Sequence, residues 1–135
     1  MTQPISPYRK GTILAPVGGS HHLHIVCNDP VFSPEHGCDC VLVVAISTVR
    51  PAPAFHDPAC ILEEGDHPFI RHQSFVFYGD AVVWRVPSVI DRTQSGELIP
   101  RQVMDDAVFE RVLAGFETSD FLVNKVRRFF RNHCS

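Results

Sequence analysis

Apolar and polar residues alternate along the first two thirds of the chain, then change to a helical spacing. In His22–Asn28, Leu23, Ile25 and Cys27 fall on one face and His22, His24 and Val26 on the other, which is the two-residue period of a strand. Gly11–Val17 reads as a short strand before it, with Pro16 suiting an edge or a strand end, and Gly18-Gly19-Ser20 reads as the turn between them. Cys40–Ile46, CVLVVAI, is the most continuous apolar run. It is β-branched and short, so it predicts a central strand buried on both faces. Asp29–Asp39 is rich in turn formers and predicts a loop, and the three prolines of Pro51–Pro58 exclude regular structure there. Ala59–Leu62 predicts a short strand running into a turn at Glu63–Asp66. Gln73–Tyr78 and Ala81–Val86 predict two strands of a hairpin around Gly79-Asp80. Pro87–Pro100 predicts a polar loop with room for a short strand at Glu97–Ile99.

From Gln102 the period is helical. Met104, Ala107, Val108 and Val112 recur on one face of Gln102–Gly115, widened by Phe109, Leu113 and Phe116, with Gly115 near the stop. Thr118 or Ser119 suits the N-cap of a second helix, with Asp120 in its first turn and Leu122, Val126, Phe129 and Phe130 on its apolar face. About six strands followed by two helices predict an α+β fold. The expected arrangement is one domain over residues 1–135: a loose arm at 1–10, a small, strongly bent antiparallel barrel at 11–100, and a helical C-terminus at 101–135 that caps its open side.

Composition narrows the class. A chain of 135 residues with 44% hydrophobic and 20% charged residues can bury one core without staples. The formal charge of −3 argues against nucleic-acid binding by the whole surface while leaving room for a local basic groove. Residues 1–100 carry six Lys and Arg against ten Asp and Glu, and residues 101–135 carry six against five, with Lys125, Arg127, Arg128 and Arg131 clustered near the end. No apolar run approaches a membrane span and the N-terminal residues lack the apolar core of a signal peptide, so the expected location is the cytoplasm, away from membranes. Five cysteines, an odd number, fit reduced thiols better than a disulfide framework.

The candidate chemistry centres on Gly65–Tyr78, GDHPFIRHQSFVFY, where titratable groups run into a strand. Asp66, His67 and His72, with Ser47, Thr48 and Arg71, supply what metal-free RNA cleavage requires: a base for the 2′-hydroxyl, an acid for the leaving 5′-oxygen and a cation for the phosphorane. Histidine is the side chain suited to moving protons near neutral pH. The plainer reading is that Gly65-Asp66 makes only a turn, His67 caps it by hydrogen bonding and Arg71 is solvated. The many His and Cys residues miss the spacings of zinc templates, with Cys38 and Cys40 only two apart, so no metal or other cofactor is expected. Cys60, seven residues before His67, reads more readily as a small strand residue than as a nucleophile.

The order of these segments resembles the PemK/MazF-like family of small bacterial toxins from toxin–antitoxin pairs. His22–Asp29, HLHIVCND, looks like its second long strand. Cys40–Thr48, CVLVVAIST, looks like its central strand ending in a small hydroxyl residue, and His67–Val83, HPFIRHQSFVFYGDAVV, is similar to its segment leading through Ser-x-Val into a turn. The resemblance covers roughly residues 11–116. It implies an SH3-like barrel, a homodimer, endoribonuclease cutting of single-stranded RNA, and inhibition by an antitoxin. Thr48, with Ser47, matches the strand-end hydroxyl position of the family's site. The family's Arg-Pro pair entering the second strand is replaced by His21-His22, so His22, Arg50 or Arg71 would have to stand in, and Pro51–Pro58 is longer than the compact family pattern. The expected site is therefore Thr48, His67 and His72 for catalysis, with Ser47, Arg50, Asp66, Arg71 and Tyr78 on substrate, where Phe69 and Tyr78 stack bases if exposed. A non-catalytic module holding a peptide or partner protein on the same barrel is the alternative.

Overall fold

The computed structural model describes residues 6–135. One seven-stranded antiparallel sheet carries three helices, all in the second half of the chain. The strands are β1 (Thr12–Val17), β2 (Ser20–Val26), β3 (Val31–Ser33), β4 (Cys38–Thr48), β5 (Ile61–Leu62), β6 (Ser74–Arg85) and β7 (Ile99–Arg101). The helices are α1 (Val86–Gln94), α2 (Asp106–Thr118) and α3 (Asn124–His133). The order across the sheet is β5-β6-β4-β2-β1-β7, with β3 paired to the start of β4. The sheet is curled but open, an α+β half-barrel with β5 and β7 at its edges.

β4 is the spine, as its apolar run predicts. Leu42, Val44 and Ile46 point into the larger core, shared with Leu23, Ile25, Val76, Tyr78, Phe109 and Phe116. Val41 and Val43 point the other way, into a smaller core with Ile13, Val26, Val86 and Val89. Strand alternation thus feeds two cores, α2 and α3 covering one face and α1 the other. β1 and β2 form the expected hairpin. Val17 pairs with Ser20 across Gly18-Gly19, and Gly18 supplies the positive φ of 62° that the two-residue turn requires.

Several expectations are corrected. The hairpin around Gly79-Asp80 does not exist, because β6 is one continuous strand. Val43 faces Val82 while Ala45 faces Phe77, so two steps along β4 match five along β6, and Gly79-Asp80 occupies this bulge. A turn-forming pair inside a strand marks a bulge as readily as a hairpin, and the bulge bends the sheet. Pro87–Pro100 is not a loop. Pro87 sits in the first turn of α1, where a missing N–H costs nothing, and Val86, Val89 and Ile90 form its inward stripe. Gly96, at φ 86°, follows the helix end. β3 lies within the segment expected to be a loop, and the strand near residue 99 is displaced to Ile99–Arg101.

α2 starts later than Gln102, because the Asp105 carboxylate caps it by accepting from the Ala107 and Val108 amides at 3.0 and 3.2 Å. Gly115 lies in the last turn of α2, near its end at Thr118 as expected, and its carbonyl accepts from the Ser119 amide. α3 is capped neither by Thr118 nor by Ser119; it begins at Asn124, because the Ser119 hydroxyl instead accepts from the Phe121 amide and donates to Asp57. The expected loose arm is held over residues 8–10: the Arg9 amide donates to Asp29 and the Lys10 amide to the Val26 carbonyl. Residues 1–5 of that arm lie outside the described residues. No helix among the described residues is long and apolar enough to cross a membrane.

Candidate functional site: a cationic groove at one end of the sheet

Antiparallel pairing brings the end of β4 and the beginnings of β2 and β6 to the same end of the sheet. Ser47 pairs with Phe75 and Thr48 with Ser74, and the Val49 amide continues the ladder to the Gln73 carbonyl at 2.9 Å. These strand ends floor a groove of about 740 Å³. Its walls are the loop before β6 (Phe69, Ile70, Arg71, His72), the segment after β4 (Arg50, Ala54, Phe55), the start of β2 (Ser20, His21, His22) and Arg101 from β7.

The wall holds Arg50, Arg71 and Arg101, together with His21, His22 and His72, and no carboxylate among the described residues. On a chain with a formal charge of −3 this is a strongly uneven distribution. It favours an anionic ligand, and a recessed site raises the effect of each cation. Hydroxyls of Ser20, Ser47, Thr48 and Ser74 and the rings of Phe55, Phe69 and Phe75 complete it. The Arg101 guanidinium lies over the Phe69 ring at 5.8 Å from its centroid, tying two walls together. The partner of His22 Nδ1 is the Ile46 carbonyl at 3.3 Å, so Nδ1 donates there, and Nε2 lies 3.4 Å from Ser20 Oγ on the groove side.

Of the residues expected from sequence, Ser47, Thr48, Arg50, Arg71 and His72 come together in this groove. His67, Asp66 and Tyr78 do not. His67 is buried behind the wall: Nε2 donates to the Gln102 carbonyl at 2.7 Å and lies 3.2 Å from Thr12 Oγ1, while Nδ1 accepts from the Phe69 amide at 3.0 Å. Both ring nitrogens are committed, so His67 holds the 67–72 loop against the segment that follows β7, the hydrogen-bonded turn role of the plainer reading. Asp66 accepts from the Glu63 amide at 2.8 Å and pairs with Arg111 of α2 at 3.7 Å, outside the groove lining. Tyr78 is fully buried and cannot stack a base; its hydroxyl donates to the Val112 carbonyl at 2.6 Å, and burial pushes its pKa well up.

The cysteines are free, and four of the five are buried. Burial raises the thiol of Cys60, pushes that of Cys40 up to about 11 and that of Cys134 up to about 12, which keeps them protonated and unreactive near neutral pH. No group of three or more His, Cys, Asp and Glu among the described residues is arranged to hold a metal ion. His24, two residues along β2 from His22, meets the Trp84 ring at 5.1 Å and a tilt of 34°, and burial lowers its pKa.

Sequence reasoning missed Arg101, Phe55 and Phe75 as groove residues. Arg101 arrives from a strand some fifty residues beyond β4, and no local pattern marks it. Phe55 stands as a lone aromatic among prolines, which was the available signal. Compared with protein-family models, with curated proteins and with solved structures, the chain has no match in any of the three.

Proposed function

We propose that the groove binds single-stranded RNA and cuts its backbone by metal-independent acid–base catalysis, in a protein of PemK/MazF-like type built on an SH3-like barrel. The observation that carries this reading is the carboxylate-free wall, which gathers three arginines and three histidines around the strand-end hydroxyls Ser47 and Thr48. Arginines match phosphate geometry and stabilise the charge that builds on a phosphorane. In the proposed step the 2′-oxygen attacks phosphorus as His22 Nε2 takes its proton. The bond from phosphorus to the 5′-oxygen breaks as His72 gives that oxygen a proton. The products are a 2′,3′-cyclic phosphate and a 5′-hydroxyl. Thr48 orients the attacking group, and Arg50, Arg71 and Arg101 hold the phosphate. With His67 committed behind the wall, His22 takes the base role and stands where the family's Arg-Pro would be. The cytoplasmic homodimer restrained by an antitoxin protein belongs to this reading through the sequence resemblance.

Induction in a bacterial host tests it, with His72→Ala and Arg71→Ala alongside. Growth arrest with RNA fragments from the wild type, and normal growth with intact RNA from both variants, is the expected result. Intact RNA and normal growth from the wild type would sink the cleavage step. A second reading, capture of a peptide or partner protein without turnover, is favoured by one observation: His67, the histidine that sequence puts nearest the chemistry, is bonded at both nitrogens and faces away from the groove. Tight protein capture with no RNA turnover is its signature.

A further inference from the structure

The segment between β4 and β5, residues 49–60, is the part of the groove wall least like a compact barrel, and it is fastened at two points. The Asp57 carboxylate is almost fully buried. One oxygen accepts from the Ala59 amide at 2.9 Å and the other from the Ser119 hydroxyl at 2.6 Å, in the connection between α2 and α3. Ser119 in turn accepts from the Phe121 amide at 3.1 Å. The same connection supplies the second fastening: the Phe121 ring meets Phe55 edge to face at 5.0 Å. Phe75 meets Phe55 at 6.0 Å and 86°, and Phe77 at 5.6 Å and 44°.

Three rings therefore fix the position of Phe55, yet 48% of its surface stays exposed, and it lines the same groove as Arg50. These rings cover about half of Phe55 and leave the rest of it open at the groove. Phe69 on the facing loop differs, since its ring already lies against the Arg101 guanidinium. The geometry points to Phe55 as a stacking platform for one nucleobase of a single-stranded RNA, with Arg50 on the neighbouring phosphate. This rests on the RNA reading of the groove and adds a base-binding position that the charge pattern alone does not require. A ring fixed beforehand loses little conformational entropy when a base stacks on it, and base–aromatic stacking tolerates sequence variation because every base has a π-face.

The test is equilibrium binding of two labelled pentanucleotides with equal phosphate number, one of 2′-O-methyl RNA, which cannot be cut through its 2′-oxygen, and one abasic throughout. Wild type, Phe55→Leu and Phe55→Trp are compared, with thermal melts confirming that each is folded. Wild type is expected to bind the base-containing strand at least about tenfold tighter than the abasic one. Phe55→Leu should lose about tenfold on the base-containing strand and nothing on the abasic strand, and Phe55→Trp should restore the difference. Equal loss on both strands, or no loss on either, overturns the platform. If both strands bind wild type equally, the platform fails and the anionic groove stands. If neither binds, the RNA reading fails with it.

Discussion

Gly115→Ala is the substitution whose cost the structure defines most closely. A Cβ built on Gly115 would lie 1.8 Å from the Tyr78 hydroxyl oxygen, 2.4 Å from Cζ and 2.8 Å from Cε2. The obstacle is an immobile ring, buried in the main core, stacked edge to face on Phe116 at 4.8 Å and bonded to the Val112 carbonyl. Relief requires Tyr78 or the whole of α2 to move. Overpacking of this kind costs about 1–3 kcal/mol, and a Tyr78 hydroxyl pulled off its acceptor while still buried costs about 1–3 kcal/mol more. Alanine returns about 1 kcal/mol of helix propensity over glycine. The expected net destabilisation is about 1–5 kcal/mol, read as a fall in urea midpoint with little change in slope. Tyr78→Phe alone should cost about 1 kcal/mol, the worth of one hydrogen bond. In that background Gly115→Ala should cost less, because the oxygen that is closest has gone. A stabilised or unchanged Gly115→Ala variant would refute the packing of α2 on β6 described here.

His67→Ala should destabilise by about 1–3 kcal/mol in urea titration, since it takes the acceptor from the Phe69 amide while the Thr12 hydroxyl and the Gln102 carbonyl keep their own hydrogen bond at 2.6 Å, whereas His72→Ala should stay within about 0.5 kcal/mol of wild type. Ser119→Ala should cost about 1–3 kcal/mol by leaving a buried Asp57 oxygen without its donor, measured in the same way. His24 is held below its ordinary value of about 6.5 by burial, with Trp84, His22 and Arg92 around it, so the native state takes up its proton less readily than the unfolded chain. Its contribution is present above about pH 6.5 and is lost as pH falls through that value towards the folded pKa; urea midpoints at pH 7.5 and pH 5 should show a fall in wild type that is smaller in His24→Gln. RNA affinity should drop with salt at a log–log slope of about −2 if the three groove arginines each neutralise one phosphate, and Arg101→Ala should make that slope shallower by about 0.7.

The strands that run through the middle of the sheet were legible because their burial is two-sided or alternating, and β2 and β4 follow that pattern residue by residue. The misread elements are those whose local signals have two meanings. Pro87 breaks a helix interior but suits a helix start, and Gly79-Asp80 suits a turn but also a bulge; only the pairing of β6 with β4 decides. Ser119 has the chemistry of an N-cap, yet Asp57, sixty-two residues away, takes its hydroxyl. The site follows the same logic. Ser47, Thr48, Arg50, Arg71 and His72 flank strand ends that antiparallel pairing must bring together, so their convergence was implicit in the order of segments. His67 and Asp66 sit beside them in sequence but turn into the body of the protein, where Gln102 and Arg111 meet them. Arg101 and Phe55 became groove residues only through long-range packing.

In the proposed function the groove cuts RNA through its own side chains. Purified protein incubated with end-labelled single-stranded RNA in excess chelator tests it most directly, beside His22→Ala, His72→Ala and a groove-charge variant, Arg71→Ala. Wild type should give fragments ending in a 2′,3′-cyclic phosphate, and each variant should cut at least about a hundredfold more slowly at unchanged stability. RNA that stays intact with wild type, or cutting that persists unchanged in all three variants, would contradict it.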